Sequence, residues 1–381
     1  MSQRRCLLMA TFNMDARAWS GVPWEFADVI SQIEDTEIVA PGDRFYDKDN
    51  PTVVPPLQLR DRLEAKLRRT LGQPVPRMPV VTLERDYDFA FYICHFIYEL
   101  EELAQIRDWR DRSQKAAIYL LEGWPATFAA QARTLAKLDL FDHVFVLNGS
   151  SIPELSRYTS TPISQLSTAT DLMRTSPAPD YPRRVVDVCC IGRNNPEIHA
   201  ALLALSKDKG LFYHYDVWKN QNVAQGWDAV RRWNGDLIRR SRYYLVWDPA
   251  FKNARREDAG TAQTLSTRYF EGAAGGAILL GSAPDCPEYH AAFDWPDAVI
   301  PLNENPAQVI AALDNNPDRV REIRTQNIRQ SLLRHDWAHR WRQVLETFDL
   351  APTPRHIARE EKLVSLAQSV TLERDLADLR A

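Results

Sequence analysis

The feature that most constrains this chain is a rhythm of short apolar runs alternating with longer amphipathic stretches, which occurs twice along its 381 residues. Parallel strands need a crossover between them, usually a helix, so this alternation is typical of α/β folds with parallel sheets. The first series predicts strands at 6–12, 37–40, 89–95, 116–121 and 143–147. The second series predicts strands at 185–191, 212–215, 243–247, 277–281 and 298–301.

The predicted helices lie between and after these strands, at 24–33, 59–71, 98–108, 126–138, 197–206, 306–314, 317–335 and 337–348. Segment 148–182 loses the rhythm and ends in a run of prolines, which disfavour helix before them, so it predicts an interdomain linker. We therefore expect an α/β protein with two Rossmann-like domains, 1–175 and 183–350, facing a cleft. A charged helical tail follows at 351–381, and ligands are expected at the carboxyl ends of the strands.

Composition excludes several classes of protein. The formal net charge is only −4, so the sequence shows no excess of positive charge that would bind nucleic acid. The five cysteines include no CxxC pair and predict neither a zinc site nor a disulfide framework. No signal peptide and no stretch of 18 apolar residues is recognisable, so we expect a cytoplasmic protein. A lipid-linked acceptor would still bring it to a membrane surface.

The most informative stretch of the sequence is 264–281. Hydroxyl side chains at its start suit a helix N-cap, small residues follow, and Gly275-Gly276 ends the helix before an apolar strand. A helix N-terminus beside the end of a strand favours anions, because its free N–H groups and its dipole attract phosphate.

Residues 268–280 resemble the signature R-x-F-E-x-x-A-x-G-[GA]-x-x-[LV] of group 1 glycosyltransferases with the GT-B fold. The resemblance is closest to the spore-coat-maturation-protein-like (CgeB-like) branch. In that family the glutamate binds the ribose hydroxyls of the nucleotide, and the start of the helix holds the donor diphosphate. The resemblance implies that Glu271 is the ribose ligand and that Ser266, Thr267 and Arg268 lie at the phosphates. The alternative is an Arg268–Glu271 ion pair on a helix that only packs on the sheet.

Two further segments are similar to the same family. Gly192-Arg193, after the predicted strand 185–191, resembles its phosphate-pocket element, and Ser20-Gly21 belongs to a stretch resembling its S-G-[TV]-P loop. That loop would face the donor phosphates or the acceptor. The resemblance covers most of 4–345 and assigns the acceptor to domain 1–175 and the nucleotide-sugar donor to domain 183–350.

The sequence also departs from the family pattern. Many retaining members carry a second glutamate where this chain has Gln263, and the usual lysine after Gly-Arg is missing. Lys252 or Arg268 would then supply the positive charge for the leaving diphosphate. The sugar, the nucleotide, the acceptor and the stereochemical outcome stay open.

An inverting reaction would need a base to deprotonate the acceptor hydroxyl. Glu122 and His95 stand at the ends of predicted strands in the first half and are the candidates. Each has a structural alternative, His95 as a buried core residue and Glu122 as an ordinary residue at the end of a strand.

Taken together, the sequence predicts a metal-independent glycosyltransferase without a cofactor. It would use a nucleotide-sugar donor and a glycan, lipid-linked or protein acceptor, and its oligomeric state is undetermined. The DxD at 86–88 precedes a strand and is a poor metal site, and no GxGxxG supports a dehydrogenase. An NDP-sugar epimerase, a sugar phosphorylase and a non-catalytic nucleotide-sugar-binding module remain alternatives.

Overall fold

The structure is a computed structural model that describes residues 4–11, 18–40, 67, 70–71, 81–192, 194–216, 226–247, 263–302 and 305–370. The chain divides into two compact units. The N-terminal unit comprises Met1–Leu166 with Asn220–Val230, and the C-terminal unit comprises Ser167–Lys219 with Arg231–Ala381.

The N-terminal unit is built on a parallel sheet. Its strands are β1 (Arg5–Ala10), β2 (Asp35–Val39), β3 (Val81–Thr82), β4 (Tyr87–Phe96), β5 (Ile106–Arg107), β6 (Ser113–Glu122), β7 (His143–Val146) and β8 (Ile163–Gln165). Six of them form one sheet in the order β2-β1-β4-β6-β7-β8, and β3 pairs with β5 in a small separate sheet. β1 and β4 are central and their residues are almost entirely buried, as expected for a sheet covered on both faces.

The α-helices of this unit are α1 (Gly21–Ile33), α2 (Pro125–Phe128), α3 (Ala132–Leu135) and α4 (Ile152–Leu155). Its 3₁₀ helices are Ala18–Ser20, Ile97–Gln105, Ala129–Gln131, Ala136–Leu140 and Gly149–Ser151. The helix predicted at 126–138 is therefore a series of short turns, because Gln131 leaves the helical region at φ −114°, ψ 15°. The helix predicted at 98–108 is 3₁₀ and ends before β5.

The linker predicted at 148–182 is only partly irregular. It contains α4 and the edge strand β8, which pairs in parallel with β7 through Val144 and Ile163. The prediction missed β8 because a three-residue strand leaves too short a pattern to stand out. Most of the segment predicted as helix at 59–71 lies outside the described residues.

The C-terminal unit contains a second parallel sheet. Its strands are β9 (Val186–Cys190), β10 (Tyr213–Tyr215), β11 (Ser241–Val246), β12 (Ile278–Gly281) and β13 (Ile300–Pro301), in the order β10-β9-β11-β12-β13. The helices that follow α4 are α5 (Leu172–Thr175), α6 (Pro196–Lys209), α7 (Trp227–Arg239), α8 (Thr267–Ala274), α9 (Pro287–Ala292), α10 (Pro306–Asp314), α11 (Pro317–Arg334), α12 (Trp337–Thr347) and α13 (Pro354–Ser369). The sequence prediction did not include α5, α7 and α9.

The tail helix α13 is part of the C-terminal unit. Leu363 and Ala367 are buried in its contact with α11. Arg359 donates to the buried carboxylates of Asp336 at 2.8 Å and of Asp171 at 2.6 Å. The predicted α/β class, with two parallel sheets and a helical tail, is confirmed, whereas the placement of two domains about a cleft stays a prediction. None of the helices in the described parts of the chain is long and apolar enough to cross a membrane.

Each sheet has a point at which the strand order reverses. In the N-terminal sheet β1 lies between β2 and β4, and in the C-terminal sheet β9 lies between β10 and β11. The crossovers on the two sides of such a point run in opposite directions and leave a crevice at the carboxyl ends of the strands, where α/β folds bind their ligands. The carboxyl ends of β9 and β11 are therefore the expected ligand-binding edge of the C-terminal sheet.

Candidate functional site

The turn after β9 begins this site. Gly192 has φ +81°, a left-handed conformation that residues with a side chain rarely adopt. A β-carbon at this position would lie 2.2 Å from Nη2 of Arg268. The half-buried guanidinium of Arg268, on the first turn of α8, therefore lies directly against the backbone of Gly192.

Hydrogen-bonding groups at the start of α8 are not satisfied by the residues that the structure describes. The Nη1 atom of Arg268 and the hydroxyl of Ser266 are buried, and neither has a hydrogen-bond partner there. Ser266 is the N-cap residue of α8, but its hydroxyl does not make the predicted capping bond. Buried polar groups are nearly always paired, and an anion at the helix N-terminus would supply an acceptor for both of these donors.

Tyr244 on β11 adds a third such group next to α8. Its ring packs against Gly272, and its hydroxyl is buried without a partner among the described residues. Burial and then the nearby charge of Glu271 raise the pKa of Tyr244 well above its usual range. The phenol is therefore neutral and able to donate a hydrogen bond.

Glu271 forms a buried ion pair with a residue that the sequence did not single out. Arg231 on α7 donates from Nη1 to Oε1 of Glu271 at 2.5 Å, and the two side chains are only 4% and 10% exposed. Nη2 of Arg231 reaches the hydroxyl of Thr170 at 3.4 Å. The alternative of an Arg268–Glu271 pair is wrong, because Arg268 turns to Gly192 and Arg231 takes its place.

The other predicted donor-site residues of this unit have different surroundings. The Thr267 hydroxyl lies 3.1 Å from that of Thr168. Gln263 is exposed, and its side-chain oxygen accepts a hydrogen bond from the backbone N–H of Asp285 at 2.6 Å. Arg193 and Lys252 lie outside the described residues.

In the N-terminal unit the two candidate bases lie at the carboxyl ends of adjacent strands. Glu122 ends β6, and its Oε2 accepts from the indole N–H of Trp124 at 2.8 Å. His95 on β4 is buried, and its ring stacks on that of Phe96 at 4.3 Å. Because Phe96 pairs with Glu122 in the sheet register, these candidates occupy one short stretch of the sheet edge.

The predicted Ser20-Gly21 loop lies at the start of α1. Ser20 is the buried N-cap residue and makes no side-chain capping bond, and Gly21 is the first helical residue. The helix thus begins three residues before the predicted start at Trp24. Pro23 falls within the first turn, where its missing N–H is tolerated.

Glu99 is a buried carboxyl group that the sequence prediction missed. It lies where β1 and β4 separate, and it accepts hydrogen bonds from the hydroxyl of Thr11 and from the backbone N–H of His95, the latter at 2.8 Å. Burial raises the pKa of Glu99 to about 7, against the opposing effect of these hydrogen bonds. The available signal was its position three residues after Phe96, the N-cap of a 3₁₀ helix, which is the spacing of a capping box.

The DxD at 86–88 lies at the opposite edge of the sheet from these groups. Asp86 pairs with Arg112 at 3.1 Å, and Asp88 accepts from the backbone N–H of Arg5 at 2.8 Å. Both aspartates thus tie together the amino ends of strands. In the described ranges, no group of three or more His, Cys, Asp or Glu side chains is arranged to hold a metal ion.

The segment that contains most of the C-terminal sheet, with the unsatisfied donors, also matches a known protein family. Residues 190–346 match the family model described as "Glycosyl transferase-like", which covers less than half of the chain. This part of the chain is similar to that family. The matched range includes Gly192, Arg231, Arg268 and Glu271. A comparison with curated proteins found no match.

Solved structures that align with this chain have low sequence identity to it. An α,α-trehalose-phosphate synthase (UDP-forming) from Burkholderia vietnamiensis is 11% identical with a TM-score of 0.41, over 99% of this chain and 97% of that one. An α,α-trehalose 6-phosphate synthase from Burkholderia multivorans is 12% identical with a TM-score of 0.42, over 100% and 99%. A UDP-glucosyltransferase from Polygonum tinctorium is 10% identical with a TM-score of 0.36, over 96% and 99%. Similarity at this level does not assign an activity to the chain.

Proposed function

We propose that this protein is a glycosyltransferase that takes a sugar from a nucleotide-sugar donor and transfers it to an acceptor hydroxyl. The observation that carries the proposal is the cluster of unsatisfied donors at the start of α8, beside Gly192, within the range that matches the glycosyl transferase-like model. Ser266 and Arg268, which have no acceptor among the described residues, fit a diphosphate, which presents many acceptor oxygens and negative charge.

In this proposal the donor lies at the carboxyl ends of the C-terminal strands. The diphosphate accepts hydrogen bonds from Ser266, Arg268 and the backbone near Gly192, with Arg193 and Lys252 as further cations and Thr267 and Gln263 at the margin. Glu271 binds the ribose hydroxyls through the carboxylate oxygen that Arg231 does not contact.

The proposed reaction needs no metal and no cofactor. The bond between the anomeric carbon and the diphosphate oxygen breaks, and the acceptor oxygen forms a new bond to that carbon. Arg268 and the helix N-terminus stabilise the charge on the departing nucleoside diphosphate. If the reaction inverts, Glu122 or His95 takes the proton of the acceptor hydroxyl.

The finer assignments belong to the same proposal. We infer a hexosyltransferase of the CgeB-like branch, active in the cytoplasm, with 1–175 on the acceptor side and 183–350 on the donor side. The acceptor is a glycan, a lipid-linked glycan or a protein, as in the synthesis of a polysaccharide. A lipid-linked acceptor would require contact with a membrane surface.

Thermal unfolding in the presence of UDP, GDP, dTDP, ADP and CMP, with and without excess chelator, tests the donor site. A nucleotide that binds the folded state stabilises it by about 2.7 kcal/mol at a hundred times its dissociation constant. We expect one nucleotide to raise the melting temperature equally with and without chelator, and Arg268→Met to abolish that rise. A wild-type protein that responds to none of them would overturn the proposal.

The corresponding nucleotide sugars then distinguish transfer from the alternatives. Release of nucleoside diphosphate that depends on an acceptor indicates a transferase. Conversion of the donor sugar without release indicates an epimerase, and binding without any turnover indicates a non-catalytic binding module.

A further inference from the structure

The structure points to a role for Arg231 that the donor site does not yet explain. We propose that Arg231 is a positioning residue, which orients the carboxylate of Glu271 toward the ribose hydroxyls of the nucleotide. The inference rests on the proposed function, because it requires that Glu271 meets a nucleotide.

The contact between the two residues is short and protected from water. Nη1 of Arg231 lies 2.5 Å from Oε1 of Glu271, and almost nothing of the Arg231 side chain is exposed. Arg231 comes from α7 and Glu271 from α8, so the pair links two helices of the C-terminal unit. A charge-assisted hydrogen bond of this kind is roughly twice as strong as one between neutral groups.

Arg231 is itself held from a second side. Its Nη2 lies 3.4 Å from the hydroxyl of Thr170. The backbone of Thr170 is fixed in turn, because its N–H donates to the carbonyl of His335 at 3.1 Å. The next residue, Asp171, is bound by Arg359 of the tail helix. The guanidinium therefore has one preferred position and holds Glu271 in one preferred rotamer.

Only one carboxylate oxygen of Glu271 is used by this pair. Among the described residues, the carboxylate forms no other hydrogen bond. The Glu271 side chain is 10% exposed. The second oxygen is thus able to accept hydrogen bonds from a ligand. A ribonucleotide offers this oxygen a 2′-hydroxyl donor that a 2′-deoxyribonucleotide lacks.

Packing alone does not explain this pair. The rest of α8 packs with small and aromatic residues such as Gly272, Ala273 and Phe270, which need no charge between the helices. Replacing a buried ion pair by apolar residues of similar volume is often neutral or stabilising, so stability is a poor reason for its presence. Holding the carboxylate in one orientation for a ligand is a sufficient reason.

Binding measurements on variants test the proposal. Isothermal titration would compare UDP, GDP and ADP with their 2′-deoxy forms on wild type, Arg231→Met, Arg231→Lys, Glu271→Gln and Thr170→Val. We expect the wild type to prefer one ribonucleotide by about tenfold, the effect of one lost hydrogen bond to a charged group. Arg231→Met and Glu271→Gln should bring that ratio close to one, through a larger loss of affinity for the ribonucleotide than for its 2′-deoxy form.

The remaining variants separate positioning from a structural role. Arg231→Lys, which keeps the charge, and Thr170→Val, which removes the hydroxyl that contacts both Arg231 and Thr175, should retain an intermediate preference. Arg232→Met, on the exposed side of the same helix, serves as the control and should behave like wild type. If Arg231→Met weakens both forms equally, or leaves the preference intact, Arg231 does not position Glu271. If the wild type binds none of these nucleotides, the proposed function fails as well.

Discussion

Arg268 and Gly192 are mutually dependent. The guanidinium of Arg268 occupies the space that a β-carbon at position 192 would need, at 2.2 Å from that atom, and the φ of +81° at Gly192 already disfavours a side chain. The cation at the start of α8 is therefore held where it is because the turn after β9 lacks a side chain. This arrangement makes a local backbone feature responsible for the position of a charge 76 residues later in the chain.

Gly192→Ala should weaken nucleotide binding far more than it weakens the fold. The left-handed backbone costs an alanine about 1 kcal/mol, and the new β-carbon must displace Arg268 from its place. We expect the affinity for the nucleoside diphosphate to fall about tenfold or more, measured by titration calorimetry. Gly210→Ala is the matched control, because Gly210 has φ +67° but no atom within 4 Å of its β-carbon position. Equal binding by both variants would contradict the role assigned to Arg268.

Glu122→Gln should lower turnover without changing the affinity for the donor. Gln keeps the size of the side chain and can still accept from Trp124, but it cannot take a proton. If Glu122 is the base, kcat for transfer falls by about a hundredfold or more while donor KM is unchanged. His95→Gln is measured in parallel, and full activity in both variants would remove both residues from the mechanism.

Glu99 should make the stability of the N-terminal unit depend on pH. Its pKa is about 7 in the folded protein and lower in the unfolded chain, so its contribution to stability is fully present in acid and is lost as the pH rises through 7. The loss amounts to about 3 kcal/mol. Glu99→Gln should remove this loss, so that the variant gains stability relative to wild type from about pH 5 to about pH 8. Urea unfolding across that range measures the difference.

Glu101→Gln is the control for that experiment. Glu101 lies in the same 3₁₀ segment but is half exposed and pairs with Lys137, and the sum of these interactions lowers its pKa despite partial burial. The pH at which Glu101 changes the free energy of unfolding therefore lies below the pH range of the experiment. A pH dependence in Glu99→Gln identical to that of wild type would refute the assignment of a raised pKa to Glu99.

Arg359→Met should destabilise the C-terminal unit. The substitution leaves the buried carboxylates of Asp171 and Asp336 without their shared cation. Removing one partner of a buried pair typically costs about 3–5 kcal/mol. Urea unfolding should show this loss, and Asp336→Asn in the same chain should recover part of it. Arg355→Met, on the exposed side of the same helix, should have almost no effect.

The types of element that form much of the candidate site were predictable from the sequence. The strand ends, the helix at 264–276 and its Gly-Gly terminus follow from local patterns, and the structure has α8 at Thr267–Ala274. The partners of the predicted side chains were not predictable. Glu271 is bound by Arg231, 40 residues before it, on a helix that the sequence prediction did not include. Thr11 meets Glu99 across 88 residues.

The sequence by itself determined that this chain has an α/β fold with two parallel sheets. It also determined that, in the second half, a helix begins at the end of a strand. Both follow from local patterns, because apolar periodicity and the glycine or proline residues that end an element depend only on residues close together in the chain. Only the tertiary structure decided which charges meet. That choice depends on strand order and on the distance between helices, so Arg268 lies on Gly192, Arg231 holds Glu271, and the buried Glu99 lies at the end of β4.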